Sequence, residues 1–473
     1  MIKRIKNHTT EQTAIFLSVS KWIILSALIG IVIGAVVALF LLTIHAGDHA
    51  RHWLPFHYYY LLPFAFMLSV WIIKTFAPNA EGHGTEKVIE SVHKNDAIIN
   101  VAVIPVKVIA TLITIFAGGS VGKEGPGAQI GAGTASIIAR MLSFSKKDRK
   151  ILVICGISAG FATVFGTPIA GAIFGIEVLT VGVIMYDVLL PSFIAGFTAY
   201  TTSQLLGVTY TYYTMHIFQS ISLNLPLILK VVTAGLFFGL VSDILVTILE
   251  GTGKVVKKIK INQYIKAFSG GVILIILVYF LGERYLGLGM TTIENTLSPN
   301  PILAVGLPWY AFLAKIVFTS ISLGVGGSGG IVTPIFFIGA TSGHFFADML
   351  GGSNVMLFSA LGFVSVVAGA ANTPIAATIM AAELFGTEVA HYAAISAVIS
   401  FFITGHRSVY PSQILAMRKS DILHVEYGTD IEDTKVELEE HEINKIRNIQ
   451  ERLHLKRKLR NSKTKPKNPK NSS

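Results

Sequence analysis

The residues with the clearest capacity for chemistry are Lys123 and Glu124, which lie in the glycine-rich stretch 118–127. Two charges in such hydrophobic surroundings are costly unless they face a partner or water. A phosphate-binding loop is excluded, because that motif needs Ser or Thr after Gly-Lys and Glu124 stands there. The stretch is better interpreted as a broken membrane helix, whose free N–H groups bind an anion and whose Glu124 carboxylate competes for the same place. The alternative is a glycine-rich helix crossing with a Lys–Glu pair at its interface.

The composition is that of a membrane protein. The chain has 473 residues, of which 52% are hydrophobic and 14% charged, and its mean hydropathy is +0.63. These values exclude an ordinary soluble enzyme and indicate several membrane spans. The single cysteine, Cys155, excludes a disulfide framework. The formal net charge of +11 reflects mainly the tail after Lys445, in which Glu451 is the only acid.

Apolar runs separated by polar breaks predict an all-helical chain that crosses the membrane several times. Long runs predict spans at residues 22–45, 58–76, 227–249 and 268–281, preceded by a short surface helix within residues 1–20. Shorter helical pieces are predicted at residues 101–117, 128–139, 151–180 (two helices with a break), 187–206, 309–323, 334–350, 355–369, 374–384 and 391–404.

Charge predicts the orientation of the chain in the cell membrane. Residues 145–150 form a basic loop and residues 254–260 a basic linker, and by the positive-inside rule this linker and both termini face the cytoplasm. We therefore expect three regions: a cytoplasmic segment at 1–20, a transmembrane domain at 21–411, and a cytoplasmic basic tail at 412–473 that is disordered at its end.

The sequence contains an internal repeat. Thr-Pro-Ile-Ala occurs at 167–170 and again at 373–376, each time about 40 residues after the proline of a glycine cluster. A glutamate follows nine residues after each of these prolines, at Glu177 and Glu383. Repeats with interrupted short helices are typical of transporters, with the ligand site where the broken helices of the two halves converge. The halves would be residues 80–215 and 290–405, in either parallel or inverted orientation.

Three motifs resemble those of the CLC family of chloride channels and chloride/proton exchangers, of the prokaryotic type without CBS domains. They are Gly-Lys-Glu-Gly-Pro at 122–126, Gly-Ile-Val-Thr-Pro at 330–334 and Gly-His-Gly at 82–84. The resemblance covers roughly residues 20–411. It implies an all-helical inverted-repeat fold that assembles as a homodimer with one anion pathway in each subunit.

The resemblance also implies a set of site residues. Glu124 would be the gating glutamate, whose carboxylate mimics the anion until protonation or displacement opens the path. The backbone N–H groups of Ile331 and Val332 would bind the anion at a helix N-terminus, and the Tyr410 hydroxyl would touch it. The other residues expected at the anion site are His83, Gly84 and Gly125.

Several positions depart from the family pattern. His83 stands where the family usually has serine, and Val332 stands where it usually has phenylalanine. Pro126 argues against the fluoride-exporting branch, which typically has threonine at that position. Val178 replaces a second glutamate that is typical of proton-coupled members. The last departure favours a channel over strict proton exchange.

Individual side chains allow more than one interpretation. His83 is either a side chain near the anion or a plain helix-start residue, and Tyr410 is either an anion-binding hydroxyl or an interfacial anchor. Glu177 and Glu383 are expected to bond backbone groups where helices pack. Glu388 is either a second pathway carboxylate or a solvent-facing loop residue, and we favour the loop because an ionised acid would repel the anion. If protons are coupled, the relay candidates are His83 and, less favoured, Glu388.

These observations predict a membrane protein that moves chloride or similar anions, most simply by passive conduction as in a voltage-gated chloride channel. The alternative is a chloride/proton antiporter. A membrane-embedded enzyme is the rival from another class, but no serine–histidine or paired-carboxylate set has recognisable spacing. We expect no metal, cofactor or nucleic-acid partner, and expect anions, protons in the antiporter case, the lipid bilayer and a second copy of the chain as the partners.

Overall fold

The computed structural model describes residues 2–51, 53–213, 224–298, 300–304 and 306–439, without the side chains of 2–9, 301 and 302. The described chain is mostly helical with a few short strands, which confirms the predicted all-α membrane fold. Its α-helices are α1 (Ile2–Arg51), α2 (Leu62–Phe76), α3 (Gly84–Lys94), α4 (Val103–Phe116), α5 (Glu124–Met141), α6 (Lys146–Phe165), α7 (Pro168–Glu177), α8 (Tyr186–Leu205), α9 (Leu225–Lys258), α10 (Gln263–Leu281), α11 (Met290–Thr296), α12 (Ala311–Gly324), α13 (Val332–Met349), α14 (Val355–Ala371), α15 (Pro374–Phe385) and α16 (Thr387–Ile403).

Helix length distinguishes the helices that can cross the membrane from shorter helices that can end inside the protein and contribute to a site. In the described chain, four helices are long and apolar enough to cross a membrane: α1, α2 with its preceding turn, α9 and α10. Six further apolar helices, α4, α7, α12, α14, α15 and α16, have only 10–17 residues. A 14-residue helix is about 21 Å long, less than the roughly 30 Å of the hydrocarbon core. Short helices can therefore end within the protein, while α3 is polar on one face and belongs to neither group.

Two predicted boundaries are wrong. Helix α1 runs without a break from Ile2 to Arg51, so the predicted short helix within residues 1–20 is not separate from the first span. The sequence has no proline or glycine before Gly30 that would end a helix there. The predicted basic loop 145–150 is instead the start of α6. The Ser145 hydroxyl accepts a hydrogen bond from the Asp148 N–H and caps that helix.

Residues 412–439 pack against the membrane domain, whereas we expected a polar tail from Ser412 onward. Leu415 is fully buried, and apolar side chains of this kind explain why the segment folds back. The disordered end predicted at 461–473 lies outside the described residues. Two small sheets hold the segment: β1 (Thr180–Val181) pairs in parallel with β2 (Ile414–Leu415), and β3 (Leu423–Val425) pairs antiparallel with β4 (Val436–Leu438).

Equivalent residues of the two predicted halves contact each other reciprocally. Glu177 accepts hydrogen bonds from two N–H groups in the first turn of α15, at 3.0 and 2.8 Å. Glu383 accepts the corresponding bonds from the first turn of α7, at 3.1 and 2.7 Å. Each carboxylate therefore satisfies the free donors of a helix in the opposite half, in agreement with the structural role expected for both glutamates. A two-fold relation between the halves produces such paired contacts.

We expect Glu177→Gln and Glu383→Gln to destabilise the protein by similar amounts, about 2 kcal/mol each. An amide presents an NH₂ group to one of the two N–H donors, so that donor loses its partner in the first turn of the opposing helix. The measurement is unfolding of the purified protein in detergent. Glu388→Gln is the matched control, because Glu388 is exposed. Unequal losses, or a control as unstable as the two variants, would contradict the reciprocal capping.

Candidate anion site

The site lies where the first turns of α3, α5 and α13 meet. Gly122 and Gly330 occupy equivalent positions in the two glycine clusters, four residues before their prolines. They pair through two backbone hydrogen bonds of 2.6 and 2.7 Å, one in each direction. A Cβ atom on Gly84 would lie 2.3 Å from the carbonyl oxygen of Gly125, so α3 also packs backbone against backbone. Glycine permits these approaches, and they bring three helix N-termini to one place.

Glu124 is the first residue of α5, and its carboxylate lies at the N-terminus of α13. The carboxylate accepts hydrogen bonds from the Thr333 N–H at 2.9 Å and from the Thr333 hydroxyl at 2.6 Å. Glu124 is only 2% exposed, and Ile331 and Val332 are buried in the same turn as Thr333. These donors, at the positive end of a helix, would also bind a small anion. The glycine cluster predicted this location, but Thr333, the donor, was not among the predicted site residues.

The absence of a side chain at Gly122 leaves the space that the carboxylate occupies. A Cβ atom there would lie 2.6 Å from Glu124 Oε2 and 3.0 Å from the Thr333 nitrogen. We expect Gly122→Ala to lower anion flux by about tenfold or more at every pH, because the methyl group excludes carboxylate and anion alike. Flux from liposomes measures the effect. Gly251→Ala is the control, since no atom lies within 4 Å of that Cβ position, and wild-type flux in Gly122→Ala would contradict the assignment.

Two cavities approach the site. The first, here called the Glu124 vestibule, has a volume of about 360 Å³ and is lined by Glu124, Lys123, His45, Glu294 and Thr333 among others. The second, the His83 vestibule, has a volume of about 420 Å³ and is lined by His83 and by the lysines at 74, 257 and 266. The lysines outnumber Glu81, the acid in the lining, so an anion is attracted to the His83 vestibule.

Several buried polar atoms on the α3 side of the site form no hydrogen bond within the described protein. They include Nδ1 of His83, the Thr85 hydroxyl and the Tyr410 hydroxyl. The hydroxyl groups of Thr85 and Tyr410 lie next to each other, and both residues are almost fully buried. Unpaired buried donors cost free energy, so the arrangement fits an anion or water held between them. Full burial disfavours the interfacial-anchor interpretation of Tyr410, and Thr85 supplies the hydroxyl that His83 lacks.

Two buried lysines were not anticipated. Lys107 donates to the carbonyl oxygens of Ala80 and Gly82, at 3.2 and 2.6 Å. Lys315 makes the equivalent contacts in the other half, donating to the carbonyls of residues 285 and 287 at 3.0 and 2.8 Å. The spacing of 208 residues between them equals that between Gly122 and Gly330, and this signal was present in the sequence. Through these hydrogen bonds each lysine fixes the turn before a short helix.

The two residues considered as proton relays lie apart. His83 lies in the break between α2 and α3, where burial and the neighbouring Lys107 ammonium lower its pKa to about 4. Glu388 is exposed in the first turn of α16. It follows Leu384, which lines the Glu124 vestibule, so the structure does not bring Glu388 to the His83 side of the site. The exposed position matches the solvent-facing interpretation that the sequence favoured.

Comparison with known proteins identifies similar chains over most of the length. A family model described as voltage gated chloride channel matches residues 65–405. A chloride/fluoride channel protein of Pseudomonas syringae pv. tomato is 37% identical over 412 residues, which cover 85% of this chain and 88% of that relative.

Solved structures agree with the fold. A CLC-type fluoride/proton antiporter superposes with a TM-score of 0.78 at 31% identity, covering 85% of this chain and 99% of that one. A slow cyanobacterial Cl⁻/H⁺ antiporter superposes with a TM-score of 0.70 at 18% identity, over 81% of this chain and 94% of that one, and supports the fold alone. Fluoride stands in two of these names, whereas Pro126 predicted a chain outside the fluoride branch.

Proposed function

Because the chain belongs to the voltage-gated chloride channel (CLC) family of membrane anion transporters, we propose that it conducts chloride or a similar anion passively through a pathway gated by Glu124. The observation that carries this proposal is the Glu124 carboxylate held by the N–H and hydroxyl of Thr333. A carboxylate and a halide compete for the same donors. The path therefore conducts when the carboxylate has left them.

Protonation is the simplest trigger for that departure. A neutral carboxyl group forms weaker hydrogen bonds with the α13 donors than the carboxylate does, and it gains less from the positive helix end. The anion then takes the position beside Thr333 and the first-turn N–H groups of Ile331 and Val332. From there it moves toward the His83 vestibule past the contact of Gly84 with Gly125, where only backbone atoms meet.

On the His83 side, the hydroxyls of Thr85 and Tyr410 are the proposed next ligands. Both are donors without a partner, so an anion placed between them satisfies two buried groups at once. His83 is neutral at physiological pH and contributes as a hydrogen-bond donor rather than as a charge. The lysines of the His83 vestibule raise the local concentration of anions at this end.

The proposed orientation places the His83 vestibule on the cytoplasmic side. Lys257, which the structure places in the last turn of α9 and not in a linker, lines that vestibule, in agreement with the positive-inside rule. Ion pairs link Lys21 with Asp148 at 2.9 Å and Lys146 with Asp96 at 2.7 Å, and Lys94 also pairs with Asp430. These contacts support placing the start of α1, the start of α6 and the 412–439 segment on that same side. We propose a homodimer because the family assembles in that way.

The chain divides into three regions in this proposal, with the transmembrane domain between two cytoplasmic segments. The family model falls inside the transmembrane domain that we place at residues 21–411. Residues before it form the cytoplasmic end of α1, and the residues from 412 onward divide into a packed segment and the basic tail.

Two variants of the function remain as alternatives. A chloride/proton antiporter is the runner-up, since antiporters occur among the similar structures. Fluoride is a second candidate anion, because the relative with 37% identity carries fluoride in its name. Passive chloride conduction is favoured by Val178, an apolar residue where proton-coupled members have a glutamate, and by Pro126 beside the gate.

The deciding experiment is reconstitution in liposomes with ion-selective electrodes. Efflux of chloride and of fluoride is recorded from parallel preparations, with protein-free liposomes as the control. We expect chloride to leave at least about tenfold faster than fluoride, because fluoride is the more strongly hydrated anion and gains less from neutral donors. Faster fluoride efflux would assign the protein to the second candidate, and no flux of either anion would contradict the proposed function.

The basic tail from Lys445 is expected to be dispensable for transport, because it shows no apolar periodicity for a packed core after Leu459. A chain ending before Lys445 should keep chloride flux within about twofold of the full chain. Truncation at Ser412 is the contrasting control, since it removes the packed 412–439 segment and should prevent folding. Loss of flux in the shorter truncation, in protein that is still dimeric, would show that the tail takes part in transport.

A further inference from the structure

Glu86 is a titratable residue beside the anion site to which the mechanism above gives no role. It lies in the first turn of α3 and is only partly exposed. Its carboxylate accepts a hydrogen bond from the Ser412 N–H at 3.1 Å and another from the Ser412 hydroxyl. Ser412 follows Tyr410 by two residues. The carboxylate is therefore bound to the segment that carries the anion-site phenol.

Glu86 has solvent on one side and residues of the anion site on the other. Glu86 and Ser412 both retain partial exposure, so water reaches this carboxylate. On its other side, Gly84 touches the backbone of Gly125, the neighbour of Glu124. The Tyr410 hydroxyl lies within electrostatic reach of both carboxylates, Glu86 and Glu124. Together with the unpartnered Thr85 hydroxyl, it supplies polar groups in the interval between the two acids.

The surroundings of Glu86 suit proton exchange near neutrality. Burial raises the pKa of Glu86 to about 7, although the hydrogen bonds from Ser412 and the nearby Lys87 oppose the shift. Glu90 is the other charged neighbour and adds to the increase, but Glu90 itself pairs with Lys87 at 2.8 Å. His83, by contrast, has its pKa lowered to about 4 by burial and by Lys107, so it holds few protons at pH 7.

We propose that Glu86 is the residue through which protons from the His83 side reach Glu124, so that Glu86 sets the response of anion flux to the pH of that side. This inference rests on the proposed gating by Glu124. A proton binds the Glu86 carboxylate from solvent, passes along the hydroxyls of Tyr410 and Thr85 with intervening water, and neutralises the gate. Protonation of Glu86 therefore precedes release of the Glu124 carboxylate whenever the proton comes from this side.

The test is current recording in planar lipid bilayers with the pH of each side set separately. For the wild type, we expect current to rise several-fold as the pH on the His83 side falls from 8 to 6, with a midpoint near 7. Glu86→Gln should abolish this response and retain the response to pH on the opposite side. Glu90→Gln, one turn further along α3, is the matched control: it should keep the response, with a midpoint moved slightly to lower pH because Glu90 adds to the raised pKa of Glu86.

A second variant distinguishes a proton carrier from a merely structural residue. Ser412→Ala removes a hydrogen bond that stabilises the Glu86 carboxylate, so the midpoint on the His83 side should move to higher pH. An unchanged midpoint in Ser412→Ala, or an unchanged response in Glu86→Gln, would overturn the inference. If Glu86→Gln carries no current, the direction of the Ser412→Ala shift decides. The proposed function fails separately, when Glu124→Gln keeps its pH dependence or the wild type conducts no anions.

Discussion

Replacing Glu124 by Gln is expected to leave the protein folded and to remove the dependence of anion flux on pH. Glutamine is close in size to glutamate and keeps an oxygen that can accept from Thr333, so the packing at the α13 N-terminus survives. It carries no charge at any pH, so it competes with the anion only weakly. Flux should then match that of the fully protonated wild type throughout the pH range.

The measurement is chloride efflux from liposomes at a series of pH values that are equal on both sides. A gate that opens on one proton changes its open fraction by at most about tenfold per pH unit, so a range of three units resolves the wild-type response. Glu124→Ala should behave like Glu124→Gln. Glu294→Gln is the control, because Glu294 lines the same vestibule but makes no contact with the α13 donors in the described structure.

One outcome would remove Glu124 from the gate. If Glu124→Gln keeps the wild-type pH profile while Glu294→Gln alters it, the pH response belongs to the vestibule and not to the carboxylate on α13. The hydrogen bonds to Thr333 would then be structural. This outcome would support the alternative interpretation of residues 118–127 as a glycine-rich helix crossing.

The position of the Glu124 carboxylate at a helix break was predictable from the sequence because its signals are local. A glycine cluster cannot continue a helix, and a charged pair inside an apolar chain requires a purpose, so residues 118–127 predict both a break and a site. The internal repeat also predicted the second glycine cluster as part of the site, because Gly122 and Gly330 stand at the same distance before the prolines of their clusters. Even the partners of Glu177 and Glu383 follow once the halves are treated as related by symmetry.

Other residues could not be found in this way, because their roles depend on partners far along the chain. Thr85 is one polar residue among several after His83, and only its position beside Tyr410 makes its hydroxyl part of the site. Lys107 looks like a charge misplaced in an apolar helix until the carbonyls of Ala80 and Gly82 are seen around it. The role of Glu86 likewise depends on its hydrogen bond with Ser412, which lies 326 residues away in the sequence.

The proton route connects these missed residues. From its residue type, His83 is the expected relay, because an ordinary histidine titrates near neutrality. In the structure His83 is buried beside Lys107, and the loss of solvation, followed by repulsion from an ammonium group there, disfavours the charged imidazole. Glu86 suffers no such repulsion and is the better carrier. Because Glu86 lies near Tyr410, however, a proton that passes through Glu86 uses the same part of the protein as the anion.

A chloride gradient is therefore expected to drive little or no uphill proton movement through the wild-type protein. Strict exchange requires that protons reach the gate by a route which the anion cannot use at the same time, and the position that would supply one holds Val178, which is fully buried and apolar. Simultaneous chloride and pH recordings on liposomes measure the coupling. We expect proton uptake close to that of protein-free liposomes while chloride flux is robust.

Strong chloride-driven proton uptake in the wild type would overturn passive conduction in favour of the antiporter, and two variants would then identify the route. Coupling that survives His83→Ala but is lost in Glu86→Gln would assign the proton path to Glu86. The reverse pattern would restore His83 as the relay. Coupling that survives both changes would mean that neither side chain is required, because water alone then carries the proton through the buried polar gap to Glu124.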